Sequence, residues 1–224
     1  PEASGGGLPT TPPFSCMKKH STIFPLCPII ALLFLVSCTH TAKPPTRAQA
    51  LYLEGQTLLS EGRPEEALAR FSRSLALSRE QNDPRGIAHN LNEIGILHTQ
   101  RQAFDKARTC FLEAEAMYRD LGMEAEVSKS LNNRAMSHVL ERDHSSAVDV
   151  YEELLEWDEA TGNRLGRAIT LTNLGQLYEV HLEEPDKALA AYEQALTLLT
   201  ELGDEGRAAT VRDRVERLSS EGTR

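Results

Sequence analysis

Aromatic residues are scarce, at 5% of the 224-residue chain, with one tryptophan. That scarcity, beside an abundance of Ala, Leu and Glu, argues against a β-sandwich and for packed helices. Basic clusters are missing as well. The formal net charge is −9, and residues 1–37 hold only two of the 24 Lys+Arg and one of the 33 Asp+Glu, so the remainder stands at −10. An acidic body repels phosphate backbones, which removes nucleic acid from the expected partners. Cysteine is nearly confined to the start: Cys16, Cys27 and Cys38, then Cys110 alone. Their spacing matches neither a zinc site nor a disulfide framework, so no metal and no structural disulfide is expected. The sequence holds no Gly-rich phosphate loop, no Ser-His-Asp arrangement and no HExxH. Nothing therefore points to catalysis or to a cofactor.

Proline changes the picture at residue 46, since eight of the 11 fall before it. Residues 1–16 are rich in Gly, Pro and Thr without periodicity, the composition of a disordered segment; the initiating residue is expected at Met17, with residues 1–16 either a mis-called start or read-through. From Met17 the order is Lys18-Lys19, an apolar stretch from Ile23 to Val36, and a small residue before Cys38. This is the layout of a secretory signal over residues 17–37. A membrane-spanning helix needs about 20 apolar residues, and this run is shorter and broken by Pro25 and Pro28. Residues 38–46 then read as a short Pro-containing tether.

What is there in quantity is repetition. Leu51, Leu91, Leu131 and Leu171 recur every 40 residues, as do Gly55, Gly95, Ala135 and Gly175. Ala67, Ala107, Ala147 and Ala188 follow with Phe71, Phe111, Tyr151 and Tyr192, at spacings of 40, 40 and 41. One extra residue between Tyr178 and Ala188 explains every late position. Leu and the small residue lie four apart, on one face of a first helix; the alanine and the aromatic lie four apart on a second. Asn82, Gly122, Gly162 and Gly203 close the second helices, being residues that accept a left-handed conformation. Such self-similarity is the mark of a solenoid built from helix hairpins. Residues 204–219, with Ala208, Val211, Val215 and Leu218 on one face, read as a ninth helix that covers the open end of the stack.

Two resemblances follow from these residues. Leu-x3-Gly on the first helix and Ala-x3-aromatic on the second resemble the tetratricopeptide repeat over roughly residues 48–204, with a 40-residue period in place of the usual 34. The resemblance implies an all-α solenoid over residues 47–220: four hairpins at about 48–87, 88–127, 128–167 and 168–207, then the cap helix. It further implies a protein-binding groove lined by the first helix of each pair. Leu35-Val36-Ser37-Cys38 resembles the lipobox of bacterial lipoproteins. That implies acylation of the Cys38 thiol, cleavage before it, and a membrane-tethered protein of the cell envelope, with Thr39 favouring the outer membrane.

Carried over residue by residue, the groove positions are Tyr52, Leu53, Gln56, Asn92, Glu93, Ile96, Asn132, Asn133, Met136, Thr172, Asn173 and Gln176, with His89 and Lys129 from the helix starts. Asn side chains offer a donor and an acceptor together and suit an extended peptide backbone, so Asn92, Asn132, Asn133 and Asn173 lead. Lys129 stands nearly alone among cations there, which disfavours a clamp for a terminal carboxylate and suggests an uncharged extended or helical protein ligand. His98 and His138 share one column of adjacent repeats, but neighbouring helices lie ~8–10 Å apart, so imidazoles replacing aromatics in the packing are expected rather than a metal pair. Cys110 and Trp157 are expected to serve packing. Three functions remain open: an envelope scaffold, a pilus-assembly pilotin, or a cytoplasmic regulator that senses a peptide or small ligand. The sequence leaves the oligomeric state open as well.

Overall fold

A computed structural model describes residues 44–221. The signal segment, Cys38 and the tether up to residue 43 lie outside the described residues. Within them the chain forms nine α-helices and no strand: α1 Arg47–Ser60, α2 Pro64–Glu80, α3 Pro84–Gln100, α4 Phe104–Asp120, α5 Glu124–Glu141, α6 His144–Ala160, α7 Arg164–Val180, α8 Pro185–Glu201 and α9 Glu205–Glu221. No described helix is long and apolar enough to cross a membrane.

Helix starts follow local chemistry. Thr46, the last residue of the expected tether, is the N-cap of α1: its Oγ1 accepts from Gln49 N at 3.2 Å, and Gln49 Oε1 accepts from Thr46 N at 3.0 Å. This reciprocal capping box satisfies two otherwise unpaired donors. Asp83, Asp143 and Asn163 cap α3, α6 and α7 through Gly86 N, Ser146 N and Gly166 N. Proline opens α2, α3 and α8, where its missing N–H costs nothing.

The turns repeat about every 20 residues. Left-handed backbone occurs at Gly62, Asn82, Gln102, Gly122, Arg142, Gly162, Glu183 and Gly203. The four closing the second helices are the residues read from the sequence. Three turns inside hairpins put Gln102, Arg142 and Glu183 into a conformation that favours glycine.

Packing runs between sequence neighbours. Each first helix lies on its own second helix, each second helix on the next first helix, and α1, α3, α5 and α7 form a row in which each touches the next. All sixteen repeat positions, from Leu51 to Tyr192, are buried. The small column has a direct cause: a Cβ on Gly55, Gly95 or Gly175 would lie 2.6–2.7 Å from the ring of Phe71, Phe111 or Tyr192. The aromatic of the second helix thus rests on the backbone of the first. In the third hairpin Ala135 occupies this place and Tyr151 is still fully covered. Ala208, Val211 and Leu218 of α9 are buried against α8, packed with Tyr192, Ala195 and Leu199. Glu179 accepts from Tyr192 Oη at 2.8 Å and from Arg214 Nη1 at 3.1 Å, and it also pairs with Arg217. The terminal helix is tied to α7 and α8 by these bonds.

Candidate functional site

The row of first helices carries a ladder of side-chain hydrogen bonds. Residues 41 apart meet across adjacent helices: Tyr52 Oη donates to Glu93 Oε1 at 3.4 Å, Asn133 Nδ2 to Asn92 Oδ1 at 3.3 Å, and Asn173 Nδ2 to Asn132 Oδ1 at 2.9 Å. Gln56 Nε2 adds a bond to Tyr52 Oη at 3.1 Å. Each asparagine in a pair spends one of its groups and keeps the others. The ladder fixes the rotamers and holds the remaining donors and acceptors in a regular row.

Beside the ladder lies an open groove of about 520 Å³. Of the positions read from the sequence it takes in Asn92, Glu93, Ile96, Lys129, Asn132 and Asn133. The others are placed elsewhere. Tyr52 and His89 line a smaller hollow between α1 and α3, where His89 Nδ1 meets Tyr118 Oη at 3.0 Å. Met136, Asn173 and Gln176 line another, with His181. Gln56 is exposed and bonded to Tyr52, Leu53 is 52% exposed and lines a separate hollow with Glu54, Arg63 and Arg70, and Thr172 Oγ1 donates to Ala168 O. The sequence reading therefore gathered one continuous row, which the structure divides among four depressions.

The groove also contains residues that reading missed. Ser128, Asp158, Asn163, Leu165, Gly166, Ile169 and Thr170 form its far wall, from α5, the end of α6 and the start of α7. Asp158 is 1% exposed. Its Oδ1 accepts from Ser128 Oγ and Asn163 Nδ2, both at 2.8 Å, and its Oδ2 accepts from Thr170 Oγ1 at 3.4 Å. A Cβ on Gly166 would stand 2.1 Å from Asn163 Nδ2 and 2.8 Å from Asp158 Oδ1, so the close approach of α7 to this carboxylate needs glycine. One signal was available. Asp158 belongs to the column Ser78, Tyr118, Asp158 and Leu199, and the other three members are all buried.

The electrostatics are mixed. Burial raises the Glu93 carboxyl above its usual range, which the hydrogen bond from Tyr52 only partly offsets. Burial lowers the imidazoles of His89, His98 and His138. His98 and His138 do not converge on one centre; the cluster near His138 is Glu141 and Asp143 on its own chain segment. Cys110 is half-buried and burial pushes its thiol up, the opposite of an activated nucleophile. Trp157 packs between hairpins: its Nε1 donates to Glu124 O at 3.3 Å, and the Arg119 guanidinium sits 5.4 Å from its ring centre.

The tetratricopeptide repeat family profile matches residues 46–120 and 126–201. The chain belongs to the tetratricopeptide repeat family. Its fold is that of a protein–protein interaction scaffold. A search of the curated proteins finds no match. Among solved structures, the tetratricopeptide solenoid is similar to BtubC from P. vanneervenii at 21% identity and TM-score 0.57, covering 77% of this chain and 80% of that one. It is similar to apo RapI at 12% identity and TM-score 0.70, over 79% of this chain and 49% of that one. A third is a Rap protein complexed with Competence and Sporulation Factor, at 13% identity and TM-score 0.57, covering 78% and 54%. The chain thus spans about half the length of the two Rap proteins, and at these identities the likeness is one of fold.

Proposed function

We propose that this tetratricopeptide protein is a lipid-anchored adaptor of the bacterial cell envelope that holds a partner protein in the groove beside the asparagine ladder. The observation that carries the adaptor reading is the ladder itself. Two asparagine pairs, with Tyr52–Glu93 at the same offset, present preordered polar groups along the row of first helices, and preordering lowers the entropy lost when a chain is gripped. The anchor rests on Leu35-Val36-Ser37-Cys38 behind a basic and then apolar leader. Two or more acyl chains hold a protein on a membrane where one does not, which would keep the solenoid at the outer-membrane surface.

Two measurements test this. Metabolic labelling with a palmitate analogue should mark the wild type and not Cys38→Ala, which should become soluble; an unlabelled wild type ends the anchor claim. Crosslinking in intact cells followed by mass spectrometry should recover a partner that Asn132→Arg loses. Equal recovery by both chains removes the groove from the interaction. A pilus-assembly component among the captured proteins would narrow the adaptor to a pilotin.

A second reading is a peptide-sensing regulator. The likeness to the Rap protein complexed with Competence and Sporulation Factor favours it, and it predicts a soluble chain that binds a short free peptide.

A further inference from the structure

Asp158 is a buried charge without a counter-charge. It is 1% exposed, and among the described residues it forms no ion pair. Its three partners, Ser128, Asn163 and Thr170, are neutral. Neutral donors and the amino-terminal end of α7 offset part of the cost of stripping water from a carboxylate. Buried charges are ordinarily paired as well as hydrogen-bonded, and here the missing half would have to come from outside.

The surroundings are arranged to admit one. Asp158 lies on the wall of the groove beside the ladder, with Glu93 on the same groove. Glu93 is half-buried, bonded only to the neutral Tyr52, and likewise without an ion pair among the described residues. Lys129, the groove's single cation, is exposed and pairs with neither of them among the described residues. Leu165 and Ile169, 40% and 36% exposed, form an apolar rim at the start of α7. A long cationic side chain suits such a place, because its methylene stem covers apolar surface while its head reaches the carboxylate.

We infer that the groove takes an extended peptide segment carrying an arginine or lysine, whose head pairs with Asp158 while the segment's backbone lies along Asn92, Asn132 and Asn133. This rests on the reading that the groove binds protein, and it replaces the uncharged ligand expected from the first helices alone. The sequence reading saw the row of amides and not the carboxylate on the opposite wall.

Panning the full chain in detergent against a display library of random short peptides tests the inference. Wild type should enrich arginine or lysine at one position by about tenfold, the scale of one charge-assisted contact. Asp158→Asn, which keeps the shape and removes the charge, should lose that preference and retain the flanking residues. A selected peptide remade with citrulline in place of arginine should bind wild type about tenfold more weakly; this arm needs no protein variant and holds even if Asp158→Asn folds poorly. Enrichment of neutral or acidic peptides, an unchanged preference in Asp158→Asn, or equal binding of the citrulline peptide would overturn the cation pocket and leave the adaptor standing. A library that enriches nothing beyond what Asn132→Arg enriches would bring down both.

Discussion

Arg134 lays its guanidinium along the carboxylate of Glu115, Nε to Oε1 at 3.0 Å and Nη2 to Oε2 at 3.1 Å, joining the second hairpin to the third. Glu115 is fully buried, and Arg134 is nearly so. Glu153 accepts from the same Arg134 Nη2 at 2.5 Å and from Arg119 Nη2 at 2.8 Å, so two arginines and two glutamates close one network across the α4–α5–α6 junction.

Removing Arg134 from that network leaves the buried Glu115 carboxylate with no hydrogen-bonded cation and only the distant Arg119, at 3.9 Å. Arg134→Met is expected to cost about 3–5 kcal/mol, as for other broken buried pairs, measured by urea unfolding. The pH dependence has a definite sign. Burial raises the Glu115 carboxyl and Arg134 opposes the rise, so without Arg134 the folded-state value moves further above the unfolded one. A raised acid disfavours the fold once ionised, and stability falls as pH rises through the folded value. The deficit of Arg134→Met should therefore shrink between pH 7 and pH 5. A deficit that grows on acidification would contradict the assignment.

The hairpin turns offer the opposite effect. Gln102 and Arg142 hold φ of 58° and 66°, a region that costs a side-chain-bearing residue about 1–2 kcal/mol. Glycine relieves that strain and gives back part of it as unfolded-chain entropy. Gln102→Gly and Arg142→Gly should each stabilise by about 0.5–1 kcal/mol, visible as a higher melting temperature. A lower melting temperature for both would show that the turns are not strained.

Phe111 is buried completely and rests on Gly95. Phe111→Ala should cost about 3–5 kcal/mol, read from denaturant unfolding. Gly95→Leu should be comparably damaging by the opposite route, since the added side chain starts 2.7 Å from the same ring. Tolerance of Gly95→Leu would mean that the two helices can separate freely.

The terminal helix should respond to acid. Burial works to raise the Glu179 carboxyl, but Arg217, Tyr192 and Arg214 outweigh it and hold the group below its usual value. A depressed acid contributes stability above its unfolded value and loses it as pH falls through the folded one. Proteolysis within α9 should accelerate at low pH, and Glu179→Gln should show the faster cleavage already at pH 7. Unchanged cleavage would detach Glu179 from the docking of α9.

The helix count, the hairpin order and the buried columns were legible because each statement about one repeat was made four times. Leu51, Gly55, Ala67 and Phe71 carry little information singly and a great deal as columns. The strained turns were not legible: Gln102, Arg142 and Glu183 have no residue preference for their conformation, and the hairpin imposes it. The ladder was half visible. Its asparagines stood in columns, yet their pairing at an offset of 41 depends on how adjacent helices slide past one another. Asp158 stands in a column with Ser78, Tyr118 and Leu199 that is alike in burial and not in residue type, and recurrence of residue type does not reveal such a column. The far wall of the groove, contributed by α6 and the start of α7, went unread for the same reason.

Nearest-neighbour packing has a consequence for how this molecule is made. Few contacts reach beyond the next hairpin, so loop closure is inexpensive at every step and the solenoid can grow from one end, each turn of the stack templating its successor. Material delivered gradually through a narrow opening, amino end first, would find its docking surface already waiting.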